Sequence, residues 1–287
     1  MIYLLGTVIV FASIFGGYSA MGGNLLVLWQ PFEFVIIVGA AFGSFLISNN
    51  LSTVKATVSS VFGLAKGKPH SKKEYLELLS LLSILFTKAR QNIQSIESDL
   101  DAPDKSPLFQ SFEFVRKNPK SARFVADYMR IHLLEKTQSH EIESLFETEI
   151  ETIEHELNRV PQALSNVAES LPALGIVAAV LGIIKAMSAI SQPPEVLGGL
   201  IGGALVGTLL GVFLSYGLVG PIATAIRQRN DQELTYYISI KTAMIAFLNN
   251  YQVQMCVEFA RKTIDTEVRP EFEEVEQAIS RAKAKSA

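Results

Sequence analysis

Hydrophobic and polar positions fall along this chain in long blocks rather than in residue-by-residue alternation. Four blocks are almost free of charge: about Ile2–Ala20, Phe32–Asn49, Leu171–Ile190 and Leu197–Gly220. A helix needs about 20 mostly apolar residues to cross the hydrocarbon core of a bilayer, so each block predicts a membrane span. Leu76–Phe86 is also apolar, but it is only about 11 residues long, contains Glu77 and has charges on both flanks. That length predicts a helix buried in a protein core. Tyr18-Ser19-Ala20, at the end of the first block, looks like a signal-peptide cleavage site. The missing basic lead-in and the long apolar run read instead as a retained span.

Between the second and third spans the pattern changes to helical periodicity. Lys72–Gln91 places Leu76, Leu79, Leu82 and Phe86 on one helical face. Asp101–Pro107, with Pro103 and Pro107, predicts a loop. Ser121–Lys136 and Glu141–Arg159 predict further helices, with Pro119 and Pro161 as punctuation. The acidic run Glu141–Glu156 reads as a solvated face opposite a buried one of Ile142, Leu145, Phe146, Ile150 and Ile153. After the fourth span the helix is expected to continue to about Asn249. Two more helices follow, separated near Arg269-Pro270. No run alternates at period two, so no sheet is expected. The expected fold is all-α: a polytopic membrane protein with four spans and a helical cytoplasmic domain. Its segments are 1–51, 52–170, 171–220 and 221–287, the first and third holding the spans.

Composition agrees with a mixed protein. The chain is 49% hydrophobic and 18% charged, with a net charge of −3. That is too apolar for an ordinary soluble domain and too charged for a chain that is all membrane. Charge placement adds orientation. Residues 52–170 carry 15 Lys and Arg and residues 221–287 carry 9, whereas connectors 21–31 and 191–196 carry none. The positive-inside rule then puts both long segments and both termini in the cytoplasm. The basic run Lys66–Lys73 reads as part of this positive-inside charge.

Chemistry is notable for what the spans lack. No Asp, Glu, His or Arg lies at mid-membrane depth; Glu33 starts the second span and Lys185 is about one turn from the end of the third. Ion carriers need a titrating or coordinating group inside the membrane, and the hydroxyl of Thr208 does not titrate usefully. An acid would therefore have to come from a partner helix. Gly199, Gly203, Gly207, Gly211 and Ser215 form a four-residue stripe on the fourth span. Small residues let helices approach closely in lipid. The stripe could serve packing within one chain, packing between copies, or packing around a foreign helix. Pro172 and Pro221 stand where the third and fourth spans meet the cytoplasmic segments. Each would free a carbonyl and bend its helix, which suggests a paired hinge.

Cys256 is the only cysteine, so no internal disulfide exists. The four histidines show no metal-site spacing. No nucleophile–base pair or phosphate loop stands out, so an enzyme is not expected. Neither a cofactor, a metal nor a nucleic-acid partner is expected.

The segments SLPALGIVAAVLG (170–182), LVGTLLGVFLSYGLVGP (205–221), EFARKTI (258–264), RPEFEEVE (269–276) and KARQNIQSIESDL (88–100) resemble the MotA family of flagellar-motor stator subunits, and the layout of spans and loops matches as well. The resemblance implies a ring of copies, a pentamer, around two single-span helices of a MotB-like dimer anchored to peptidoglycan in the bacterial inner membrane. The partner's span would supply the aspartate that these spans lack, and the ring would push on the rotor protein FliG. By this resemblance Pro172 and Pro221 are the conformational prolines. Arg90 and Glu97 face the rotor, and if helical throughout their spacing puts both on one face. Thr208 lines the ion path, and Ala179 stands where sodium-driven relatives carry a second threonine, which implies protons as the coupling ion. The alternatives are an ExbB- or TolQ-like energiser and a passive membrane scaffold.

Overall fold

The computed structural model describes residues 2–67, 69–133 and 139–286, and among them every regular element is helical. Helix α1, Ile2–Ala20, contains a π-helical turn at Ala12–Gly16. Helix α2, Pro31–Ser48, takes proline in its first turn, where the missing N–H has no intrahelical role. Asn50 accepts the Thr53 N–H and opens α3, Leu51–Gly63. The next elements are α4, Lys72–Gln91; α5, Glu97–Asp101; α6, Pro107–Gln110; α7, Glu113–Lys117; and α8, Pro119–Leu133. Helix α9 runs from Ser139 to Ser188 over 50 residues. Helix α10, Pro194–Leu214, passes through a π-helical turn, Ser215–Val219, into α11, Gly220–Leu248. Helices α12, Val253–Thr263, and α13, Phe272–Ser286, end the chain.

Four helices are long and apolar enough to cross a membrane: Ile2–Ala20, Leu25–Ser48, His140–Ser188 and Pro194–Leu248. The chain divides into two compact units. One is Met1–Gly67 with Leu157–Gln228, and the other is Lys68–Glu156 with Arg229–Ala287.

In the span unit, Ile37 and Ala41 of α2 pack with Leu171 and Ala178 of α9. A second cluster joins Leu64, Val160, Ala225 and Ile226. Helix α1 buries none of its residues, and Ile2, Leu4 and Leu5 are 60–75% exposed. A face this apolar requires lipid or other protein around it.

The other unit is built around α4. A capping box between Ser71 and Glu74 starts that helix. Leu78, Leu79, Leu81, Leu82, Ile84, Leu85 and Phe86 are all buried, which is the core helix that the length of the apolar run predicts. Phe86 stacks on Phe247 of α11 at 4.4 Å between centroids. Phe146 of α9 stacks on Tyr128 of α8, and burial together with Glu149 raises the Tyr128 phenol well above its ordinary range. Burial pushes the Cys256 thiol up to about 11, so it stays protonated and unreactive near neutrality.

Arg261 is the strongest polar tie of this unit. Its guanidinium is nearly buried and donates to both oxygens of Glu258 at 2.7 Å and to Pro270 O at 3.0 Å. The hydrogen bonds from Arg261 hold the Glu258 carboxyl below the usual carboxylate range. A depressed folded pKa gives stability that is present above the unfolded value and is lost as pH falls through the folded one. Arg261→Met is therefore expected to destabilise this unit by roughly 2 kcal/mol, less than a fully buried pair would lose because Glu258 keeps part of its hydration. The deficit should shrink below about pH 4. Thermal melts of the purified protein across pH test this, and an equal deficit at pH 3 and pH 7 would contradict it.

Three sequence expectations are corrected here. Pro161 does not end a helix but lies inside α9, one residue from buried Val160 in the cluster with Leu64 and Ile226. Tertiary packing carries the helix through it. Leu145 is 46% exposed, whereas Ile142, Phe146 and Ile150 are buried, because the buried row follows the four-residue spacing. The expected helix Ser121–Lys136 starts two residues earlier, at Pro119, and is seen to Leu133; Leu134–Lys136 lie outside the described residues.

Candidate functional site

The site begins where α9 and α10 meet. A Cβ built on Gly211 would stand 2.6 Å from Leu171 O and 2.8 Å from the Gly175 Cα. One on Gly175 would stand 2.9 Å from Gly207 O, and one on Gly182 would stand 2.7 Å from the Ala204 Cβ. The approaches at Gly211 and Gly175 are backbone to backbone, the one at Gly182 meets the Ala204 methyl, and only glycine permits such spacing. The small-residue stripe of the fourth span therefore divides. Gly207 and Gly211 form a seam with α9 of the same chain, Gly203 faces the Gln30 side chain, and Gly199 meets nothing within 4 Å.

Thr208 and Ala179 lie beside this seam at one level. A Cβ on Gly207, the neighbour of Thr208, would be 3.3 Å from Ala179 N. Ala179 is buried and Thr208 is half-buried. At this level the two helices carry one hydroxyl and one methyl.

Pro172 lies inside α9, so Ala168 O, four residues earlier, receives no N–H from that position. The hydroxyl of Ser215 donates to Ala168 O at 2.6 Å, and Ser215 is 1% exposed. Pro221 is the second residue of α11, with Gly220 between it and the π-helical turn. Sequence reading places Ser215 on the stripe but not in this bond. The signal was the offset of four from Pro172, and only the third dimension supplies the donor.

Arg90 and Glu97 do not share a helical face. Helix α4 stops at Gln91, Asn92 is extended and caps a short 3-10 turn, Ile93–Ile96, and Glu97 begins α5. The Asn92 side chain accepts the Gln94 N–H, which competes with continuing the helix. Both charged side chains are exposed. Arg90 donates to Tyr251 O and lies 5.6 Å from the centre of the Phe247 ring, so it also ties α4 to the segment after α11. Asp99 of α5 accepts from the Ser106 hydroxyl at 2.6 Å, which ties α5 to the start of α6.

Glu33 starts the second span, and its Oε2 is buried with no hydrogen-bond partner among the described residues. Among the described residues no group of three or more His, Cys, Asp or Glu could hold a metal ion.

Four helices are thus long and apolar enough to cross a membrane, and two of them meet in a glycine seam. Comparison with known proteins gives the particular class. Residues 4–93 match the motility protein A N-terminal family, and residues 116–238 match the MotA/TolQ/ExbB proton channel family. Motility protein A of Escherichia coli K12 is 38% identical over 284 residues, covering 99% of this chain and 96% of that protein. The fold is that of MotAB from C. jejuni, with a TM-score of 0.73 at 22% identity over 92% of this chain and 95% of that one. It is also that of the flagellar MotAB stator complex from Bacillus subtilis, with a TM-score of 0.67 at 19% identity over 99% of this chain and 98% of that one. The chain belongs to the MotA/TolQ/ExbB proton channel family, in its motility protein A branch. Its function is that of a stator subunit of the flagellar motor, in the inner membrane with several spans.

Proposed function

We propose that copies of this chain form a ring, a pentamer, around the spans of a MotB-like dimer that is anchored to peptidoglycan. Protons passing an aspartate on the partner's span drive the ring, which pushes on the rotor protein FliG. Both termini and the α4-centred unit are cytoplasmic. The observation that carries this reading is the lack of any titratable side chain at mid-depth in the spans of a proton-channel subunit. Each charge crossing the membrane releases about 2.3 kcal/mol per 100 mV, enough to bias a conformational cycle.

Proton rather than sodium coupling is supported by Ala179. Sodium must replace lost hydration with oxygens, and a methyl beside Thr208 offers none. Pro172 and Pro221 are the moving points, and Gly207 and Gly211 hold α10 against α9 while they move. Gly203 faces Gln30 of the same chain and Gly199 meets nothing within 4 Å, so neither belongs to this seam.

Arg90 and Glu97 contact the rotor. Of the two, Glu97 is the cleaner probe, because Arg90 also braces α4. Glu97→Lys reverses one exposed charge and adds an unfavourable charge to the first turn of a short helix, each effect worth about 0.3–1 kcal/mol. The expected result is torque reduced by roughly two- to fivefold at every load, with the protein at its normal level in the membrane. Unchanged torque from stall to low load would remove the rotor assignment of Glu97.

A further inference from the structure

Pro172 leaves a carbonyl of α9 without its donor, Pro221 comes just after a π-helical turn, and Ser215 touches both that carbonyl and that turn. Ala168 O would normally take the N–H of residue 172, which proline lacks. Ala168 is buried, and leaving its carbonyl without a donor carries a penalty. The Ser215 hydroxyl fills the position at 2.6 Å from the opposite helix. The carbonyl of Ser215 in turn accepts the Gly220 N–H, a bond reaching back five residues. It closes the π-helical turn just before Pro221. An α-helical register would give that N–H to Tyr216 instead.

We propose that Ser215 is a positioning residue that links the two prolines into one mechanical unit. The carbonyl that Pro172 leaves without a donor has a definite partner across the seam. A change at Pro172 that moves Ala168 O must break the bond from Ser215. Breaking it frees Ser215 from α9 and lets the turn before Pro221 change register. Motion at either proline is thereby felt at the other through one side chain and one backbone carbonyl. Nearby packing limits the alternatives, since a Cβ on Gly220 would stand 3.0 Å from Ser215 O. This deepens the stator reading above and rests on it for the motion, though not for the bond.

The test uses the full chain assembled with its single-span partner, as wild type, Ser215→Ala, Pro172→Ala and the double variant. Thermal midpoints of the purified assemblies come first. Ser215→Ala should lower the midpoint by roughly 2–4 °C when residue 172 is proline. It should lower it by less than about 1 °C when residue 172 is alanine, whose N–H serves Ala168 O itself. Equal losses in both backgrounds would overturn the link. Rotation comes second, in cells lacking other stators. Ser215→Ala should change low-load speed by about three- to tenfold, the factor matching the net worth of one hydrogen bond, at an unchanged membrane level. Wild-type speed together with coupled midpoints would make the bond merely structural and overturn the positioning role. Failure of the stator reading would show separately, as wild-type chain that turns no motor.

Discussion

Gly211→Ala should abolish motility while Gly199→Ala leaves it close to wild type. The two glycines are three turns apart on one stripe and look alike in sequence. At Gly211 the new methyl would sit 2.6 Å from Leu171 O and 2.8 Å from the Gly175 Cα. Both obstacles are backbone, so no side chain can swing away, and α9 and α10 must separate. Overpacking of this kind costs about 1–3 kcal/mol even where side chains can adjust, and a backbone obstacle puts the loss at the upper end. Separation would also pull Ser215 off Ala168 O and move Thr208 from Ala179. At Gly199 nothing lies within 4 Å in the chain's own structure. Swimming in soft agar and thermal midpoints of the purified assembly measure both effects. A Gly211→Ala strain that swims normally would contradict the seam.

Pro172→Ala should stop rotation without loss of membrane insertion. Proline inside a helix costs about 3 kcal/mol by its missing N–H and its clash with the preceding turn. Alanine returns the N–H to Ala168 O and removes the clash, so the variant should melt higher than wild type. A bias of that size shifts a two-state equilibrium by roughly a hundredfold, which traps the ring in one state. The expected outcome is normal protein level, a raised thermal midpoint and rotation reduced more than tenfold. Full motility would remove the hinge argument.

The spans were legible because bilayer thickness imposes length and composition together. Ile2–Ala20 is one helix between the expected limits, and Phe32–Asn49 is displaced by one residue to Pro31–Ser48. The last two spans were legible as cores, while their full lengths were not. Both run on without a break, α9 to 50 residues and the run from Pro194 to Leu248, π-helical turn included, to 55. Proline rules say where a helix is hard to continue, but Pro161 sits beside a packed cluster that continues it anyway. The π-helical turns at Ala12–Gly16 and Ser215–Val219 leave no mark on hydrophobic periodicity. Nor does the break at Asn92, whose single side-chain bond separates Arg90 from Glu97. Among the site residues, type and depth could be read from the sequence. Which glycines face a neighbour, and which hydroxyl meets the carbonyl freed by Pro172, depend on helix rotation that no linear pattern records.

The most direct measurement is proton leak. This chain is expressed alone, and then with a MotB-like single-span partner lacking any periplasmic blocking segment, while cytoplasmic pH is followed. The account predicts no leak from the chain alone, a leak when the partner is present, and its loss when the aspartate in the partner's span becomes asparagine. A leak from the chain alone would contradict the split proton path, and so would a partnered leak that survives the asparagine substitution.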